Sequence, residues 1–187
     1  MKKLLLFAIL LLPALMASAQ KNTPQSYIEQ FKEDAIRIMH ETGVPASIVL
    51  GVAMHESGCG NSKLAKNLNN QFGVKGSGRI VYVNSKKKKI STAYKRYGSV
   101  YDSFQDFARI MTERAEFSGL AMNLTHFDYE GWAHGIQKHG YASDRHWSKY
   151  VLDIIKHYQL NALDEKPADT ATQKQANPDQ LAQNHQF

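Results

Sequence analysis

Residues 46–60 read ASIVLGVAMHESGCG, and this stretch decides the fold. Its first part is apolar on every side of a helix, and Pro45 before it suits a first helical turn. A helix that is apolar all round must be buried, so we expect a central helix over 46–55. Glu56 closes that helix before a glycine-rich bend. The sequence therefore predicts a carboxylate at the end of a buried helix, at the mouth of a cleft.

Glu56 is the first candidate for chemistry in the chain. A carboxylate at the end of an apolar helix is partly desolvated, and desolvation favours the protonated form that a general acid needs. A solvated helix-end glutamate or a structural ion pair would explain the same pattern. The residue alone leaves a catalytic and a structural interpretation open.

The remainder of the central region favours a mostly helical α+β domain. Apolar residues recur at three- and four-residue steps in four further segments, which predicts amphipathic helices. Two β-branched and aromatic segments, 79–83 and 90–94, flank a lysine-rich turn and predict a β-hairpin. The further helices are expected over 25–41, 100–114, 127–138 and 147–158.

The composition is that of an ordinary globular chain with a basic charge. The 187 residues, of which 43% are hydrophobic and 21% charged, suit one domain. Cys59 is the one cysteine, which excludes an internal disulfide and a multi-thiolate zinc site. The formal net charge of +6 favours an anionic partner such as nucleic acid, a membrane surface or an acidic polymer.

Both ends of the chain predict segments outside the domain. A basic start, an apolar run from Leu4 to Met16 and small residues at 17–19 form the layout of a signal peptide. The apolar run is short for a bilayer-spanning helix, although an uncleaved anchor is the alternative. An exported protein meets cell-envelope material and not cytoplasmic nucleic acid, so we expect an envelope partner. After cleavage of the signal peptide we expect no stable insertion of the chain into a membrane. We expect a signal peptide over 1–19, a folded domain over 20–160 and a disordered polar tail over 161–187.

The residues around Glu56 resemble the signature of a known family. The stretch HESGCGNSKLA at 55–65, followed by NNQFGVK at 69–75, is similar to that of the bacterial glucosaminidases, glycoside hydrolase family 73. That family includes flagellar peptidoglycan hydrolase domains and autolysins. The segments YGSVYDSFQD at 97–106 and YASD at 141–144 resemble two later elements of the family. The resemblance covers about residues 26–160, essentially the whole predicted domain.

The resemblance implies a lysozyme-like α+β fold with a small β-hairpin lobe. It also implies hydrolysis of the β-1,4 bond after N-acetylglucosamine in peptidoglycan, and we expect a monomer. Glu56 takes the position of the catalytic acid. Tyr141 takes that of a tyrosine near the acid, which helps to hold the substrate or a water.

Five more residues are candidates for substrate binding, each with a structural alternative. Asn70 and Phe72 fall in the loop beside the cleft, where the alternatives are turn formation and core packing. Tyr82 and Tyr94 lie on the predicted strands and could stack on sugar rings or pack at period two. Asp144 could orient the substrate acetamide or cap the last helix.

Two departures from the family pattern bear on the chemistry. Cys59 stands where the family commonly has tryptophan, so some packing or sugar stacking is expected to be lost. It also occupies the second histidine position of a two-histidine zinc motif, and we expect no metal and no cofactor. Residues 57–101 contain ten Lys or Arg but no Asp or Glu. The β-lobe therefore cannot supply the second carboxylate that glycosidases generally use.

Three routes could replace that carboxylate. Another group, with Tyr141 or Asp144 as candidates, could activate a water. The 2-acetamido group of the substrate could attack, which we favour because it needs only one protein acid. A sugar hydroxyl could also attack internally and give an anhydro product.

Two rival functions remain open at this point. One is a lytic transglycosylase or muramidase on the same fold, and the other is a non-catalytic peptidoglycan-binding module. The lysines at 86–89 could hold anionic envelope polymers, or they could keep the hairpin edge soluble.

Overall fold

The computed structural model describes residues 21–83 and 89–165. Within these residues the chain forms helices, one antiparallel hairpin and a C-terminal 3-10 turn, so the predicted α+β class is confirmed. None of the helices in this part of the chain is long and apolar enough to cross a membrane. The helices are α1 (Pro24–Thr42), α2 (Ala46–Ser57), α3 (Lys63–Leu68), α4 (Val100–Glu113), α5 (Ser118–Asn123), α6 (Tyr129–Lys138) and α7 (Trp147–His157). The strands are β1 (Lys75–Val83) and β2 (Lys89–Tyr94), and the 3-10 turn is Leu160–Leu163.

Helix α2 lies at the centre of the core, as the sequence predicts. Its residues from Ala46 to Met54 are all buried, because α1, α4, α6 and α7 pack around it. Gly51 allows the close approach of α7, since a Cβ there would lie 2.8 Å from Cγ1 of Ile155. Gly58 ends α2 in the left-handed region with a φ of 58°. This end places Glu56 at the edge of the core.

Capping signals in the sequence set the beginnings of two other helices. Thr23 and Ser26 form a capping box at the start of α1. Ser99 and Asp102 form the same reciprocal arrangement at the start of α4. Gly43, with a φ of 78°, ends α1 and donates its N–H to the Met39 carbonyl. These ends agree with the predicted helices to within a few residues.

The β-lobe is the predicted hairpin, and the buried carboxylate of Asp106 attaches it to the helices. The strands pair in register from Arg79 opposite Ala93 to Val83 opposite Lys89. Asp106 on α4 accepts from the Tyr97 hydroxyl at 2.7 Å and pairs with Lys95 Nζ at 3.0 Å, just beyond β2. The turn at 84–88, with most of the predicted basic tip, lies outside the described residues.

The folded domain continues past the predicted boundary at residue 160. Asp164 is 3% exposed, and its carboxylate accepts from Ser47 N at 2.9 Å and Ser47 Oγ at 2.6 Å. The polar composition after residue 160 predicts a disordered tail, but Asp164 is buried against the start of α2. The predicted signal peptide over 1–19 and residues 166–187 lie outside the described residues.

Candidate active site

A cleft of about 790 Å³ opens at the C-terminal end of α2. Glu56 lies in it, together with the β-lobe on one side and the α6–α7 loop on the other. The segment after α4 contributes a further wall. The side chains that line the cleft include those of His55, Glu56, Phe72, Lys75, Tyr94, Arg114, Glu116, Tyr141, Asp144 and Trp147.

A buried tryptophan holds the Glu56 carboxylate. Trp147 Nε1 donates to Glu56 Oε1 at 2.8 Å, and the indole is itself almost fully buried at the start of α7. Within residues 21–83 and 89–165 no other donor contacts Glu56. One carboxylate oxygen is therefore fixed by a neutral donor, while Oε2 remains the oxygen that can carry a proton. This arrangement suits a general acid.

Tyr141 lies beside Glu56 in a cluster of aromatic rings. Its ring centroid is 5.2 Å from that of Trp147 and 5.9 Å from that of Phe107. Burial, with the negative charge of Glu56 as a second cause, holds the pKa of the Tyr141 phenol well above its usual value of 10. The phenol therefore stays protonated at neutral pH, and its O–H donates to the Phe72 carbonyl at 3.4 Å. It cannot serve as the base of the water-activation route.

Asn70 and Phe72 shape the wall of the cleft from the loop before β1. Asn70 is 1% exposed, and its Nδ2 donates to the carbonyls of Val74 at 2.9 Å and Lys95 at 2.8 Å. Its Oδ1 accepts from the backbone of the same loop, so the whole side-chain amide is occupied. We therefore assign Asn70 a structural role in place of the predicted substrate contact. Phe72 does line the cleft, with its ring stacked 4.3 Å from that of Phe107.

The two tyrosines predicted on the strands differ in what the structure describes. Tyr94 lines the cleft, and Lys75 Nζ lies 3.9 Å above its ring centroid. The Lys75 ammonium thus makes a cation–π contact with one face of this ring. A contact of Tyr94 with a sugar stays a prediction. Tyr82 pairs with Ile90 in the hairpin, but its side chain is not among those described.

Asp144 lies at the rim of the cleft and is exposed. Its Oδ1 accepts from the backbone N–H of His146 at 2.8 Å. His146 is itself the N-cap residue of α7, and the first turn of that helix is capped by Gln137, whose Oε1 accepts from Ser148 N at 2.7 Å. The Asp144 carboxylate therefore caps the turn that leads into α7, and its own carbonyl accepts from Trp147 N at 3.2 Å. Contact of Asp144 with a substrate acetamide stays a prediction.

Glu116 is a carboxylate that the sequence analysis missed. It lies in the segment after α4, lines the same cleft as Glu56 and is exposed. It has no hydrogen bond or ion pair within the described part of the chain. No motif surrounds it, so only the folded arrangement reveals it. Glu116 and Asp144 are the two carboxylates that line the cleft beside Glu56 and could activate a water.

Cys59 does not have the properties of a nucleophile. The residue is half-buried in a left-handed turn with a φ of 55°, directly after the end of α2. Burial raises the pKa of its thiol, which lowers the fraction of reactive thiolate. In residues 21–83 and 89–165 no group of three or more His, Cys, Asp or Glu could hold a metal ion.

Comparisons with known sequences give one matching family and several relatives. A family model described as mannosyl-glycoprotein endo-beta-N-acetylglucosaminidase matches residues 32–160. Exo-glucosaminidase LytG of Bacillus subtilis (strain 168) is 28% identical over 151 residues, covering 75% of this chain and 54% of LytG. Peptidoglycan hydrolase FlgJ of Escherichia coli (strain K12) is 24% identical over 182 residues, covering 84% of this chain and 56% of FlgJ. The chain thus spans about half the length of these relatives.

Solved structures share the fold. The glycoside hydrolase domain of Salmonella typhimurium FlgJ aligns with a TM-score of 0.60 at 23% identity, covering 82% of this chain and 98% of that domain. The catalytic domain of the autolysin Auto from Listeria monocytogenes aligns with a TM-score of 0.64 at 22% identity, covering 79% and 92%. The predicted lysozyme-like fold is confirmed by this likeness. Because the family model covers more than half of the sequence, the chain belongs to the glucosaminidase family.

Proposed function

We propose that this chain is an exported peptidoglycan hydrolase that cleaves the β-1,4 bond after N-acetylglucosamine, with Glu56 as the general acid. The observation that carries the proposal is the position of Glu56, at the end of the buried helix α2 and inside the cleft. The names of its relatives, an exo-glucosaminidase and peptidoglycan hydrolases, support the same substrate class. The basic, apolar start of the sequence supports export.

The first step uses Glu56 and the substrate alone. Protonated Glu56 gives its proton to the glycosidic oxygen, the bond from that oxygen to C1 breaks, and the leaving sugar departs as an alcohol. The carbonyl oxygen of the substrate 2-acetamido group bonds to C1 and closes a cyclic oxazolinium ion. Trp147 keeps Glu56 Oε1 in place during this transfer.

The second step restores the enzyme. A water adds to C1, the ring of the oxazolinium ion opens, and the proton of the water passes to the Glu56 carboxylate. Tyr141, protonated because burial raises its pKa, donates to the Phe72 carbonyl at 3.4 Å and packs its ring against Trp147, so we assign it a supporting role beside Glu56. This route accounts for a β-lobe that lacks carboxylates, since only one protein acid takes part.

The decisive experiment is a peptidoglycan digest by the mature chain, run beside Glu56→Gln and Glu116→Gln. Released fragments are reduced with borohydride and analysed by mass spectrometry. We expect reduced N-acetylglucosamine ends from the parent chain and a loss of at least about 10³-fold in rate for Glu56→Gln, because an amide cannot donate the proton. The glutamine keeps the shape of the side chain and an oxygen for the Trp147 bond, so its melting temperature should match that of the parent.

The same digest tests the acetamido route and the rival functions. Glu116→Gln should remain within about threefold of the parent rate, and a loss near 10²-fold would instead make Glu116 the base that activates water. Reduced or anhydro N-acetylmuramic acid ends would identify a muramidase or a transglycosylase. Binding of peptidoglycan without cleavage would identify a non-catalytic module and give Glu56 a structural role.

A further inference from the structure

Three aromatic rings form a row beside the cleft on the outer surface of α7. The Tyr150 ring lies 5.8 Å from that of His55 at an interplanar angle of 26°, and 6.3 Å from that of His146 at 42°. Tyr150 is 41% exposed, whereas the core aromatics are almost fully buried. His55 directly precedes Glu56 and lines the cleft with it. The row therefore begins inside the cleft and ends on the open surface.

The row is not explained by packing of the core. The exposed surface of α7 otherwise carries charged residues, with Lys149 and Asp153 joined in an ion pair at 2.6 Å. Tyr150 leaves 41% of its surface in water on this face, where it adjoins two further rings. Tyrosine and histidine each present an apolar ring with a polar tip, a combination suited to a partner that is partly apolar and partly wet. A pyranose ring is such a partner, because its axial C–H groups form an apolar face within a rim of hydroxyls.

The arrangement of the cleft points to the occupant. A glycan strand is a linear polymer, so sugars on either side of the bond under attack must leave the cleft along its open ends. His55 lines the cleft, and its ring stacks with that of Tyr150, so the cleft wall continues onto Tyr150. We propose that Tyr150 and His55 form a stacking subsite for a sugar ring of the glycan strand next to the one that Glu56 attacks. This inference rests on the proposed function, because it takes peptidoglycan as the substrate.

A co-sedimentation assay with insoluble peptidoglycan tests the subsite. The chain carries Glu56→Gln so that the polymer stays intact, and Tyr150→Ala, Tyr150→Gln and Tyr150→Phe are compared on that background. Loss of the ring should raise the dissociation constant about three- to tenfold, whereas phenylalanine retains the ring and should stay close to the parent. The exposed position makes folding of at least one ring-free variant secure, and the melting temperature of each verifies it.

Phe127→Ala is the matched control. Phe127 is 54% exposed and its ring lies 4.0 Å from that of His126, so it too is a surface aromatic beside a histidine. It precedes α6, whereas the cleft residues His139 to Tyr141 follow that helix, which is about 15 Å long. Its substitution should leave binding unchanged.

The outcomes separate the subsite from the proposed function. Weaker binding by both Tyr150→Ala and Tyr150→Gln supports the subsite when the loss of affinity is larger for long soluble glycans than for short ones. Binding by those variants that equals that of Phe127→Ala, while the parent chain binds and cleaves peptidoglycan, overturns the subsite alone. A parent chain that neither binds nor cleaves peptidoglycan overturns both.

Discussion

Trp147 holds the carboxylate of Glu56, the proposed general acid, in one position. Its indole N–H is the single donor to Glu56 within residues 21–83 and 89–165, at 2.8 Å, and it comes from another helix. Trp147→Phe keeps an aromatic ring in the core but removes this donor. We expect about a tenfold loss of kcat/KM on peptidoglycan, because the carboxylate is no longer held in one orientation. Initial rates of fragment release at a temperature well below the melting temperature measure the effect.

Trp132→Phe provides the control for the loss of packing. Trp132 is also fully buried, and its Nε1 donates to the Thr125 carbonyl at 3.1 Å, outside the cleft. The two substitutions should lower the melting temperature by similar amounts, but only Trp147→Phe should lower activity. Equal activities of the two variants would show that the bond to Glu56 has no catalytic role.

At the same scale, the sequence identified Glu56 as the candidate acid but not the residue that holds it. Glu56 was predictable because its local pattern, a carboxylate at the end of an apolar run, has a direct physical meaning. Trp147 lies 91 residues further along, and nothing in its neighbourhood indicates which carboxylate it meets. Asn70 was expected to bind substrate because it is a polar residue beside the cleft. Its amide instead donates to the backbone carbonyls of Val74 and Lys95.

At the scale of elements, the contact of α2 with α7 depends on a glycine. Alanine favours a helix over glycine by about 1 kcal/mol, so propensity alone predicts that Gly51→Ala stabilises the protein. A Cβ at this position would lie 2.8 Å from Cγ1 of Ile155, in a core with no free space. We expect overpacking to dominate, with a net decrease of about 1–2 kcal/mol in the free energy of unfolding, measured by urea denaturation.

Gly119→Ala makes the same chemical change in an open environment. Gly119 lies in α5, and no atom lies within 4 Å of the position that its Cβ would take. This variant should be neutral or more stable by up to about 1 kcal/mol. If Gly51→Ala proved as stable as Gly119→Ala, α2 and α7 would have to be less tightly packed than the structure shows.

The long helices were predictable and the short ones were not, because only a long helix repeats its apolar positions often enough to show a period. Helix α1 repeats its apolar positions over several turns, and Tyr27, Phe31, Ala35 and Ile38 are buried as that repeat requires. Helices α3 and α5 have six residues each, which is less than two turns and gives no readable period. Leu64 of α3 lines the cleft, and so does Phe117 directly before α5, so these short elements contribute to the candidate site.

At the scale of the whole molecule, the end of the domain is attached to its centre. Helix α2 begins at Pro45, which has no side chain that could cap the free N–H groups of the first turn. Asp164 supplies the cap from 117 residues away, through Ser47 N and Ser47 Oγ. Composition cannot reveal such a contact, because a polar segment that ends in one buried aspartate resembles a disordered tail. The last described residues therefore belong to the structure that supports Glu56.

The Asp164 contact should make stability depend on pH. Burial, the main cause, raises the pKa of this carboxyl from 3.8 to about 6. Between these values the folded state binds more protons than the unfolded state, so the free energy of unfolding must fall as pH rises from about 4 to about 6. The decrease is at most about 3 kcal/mol and is complete above the folded pKa.

Asp164→Asn isolates this contribution, because the amide keeps an oxygen for the Ser47 N–H but does not titrate between pH 4 and 7. Melting temperatures of the two proteins, measured from pH 4 to pH 7, give their difference at each pH. The parent should be more stable relative to Asp164→Asn at pH 4 than at pH 7, with the change centred between pH 4 and pH 6. Parallel curves would mean that the carboxyl titrates alike in the folded and unfolded chains, and that the end of the domain is not buried on α2 in solution.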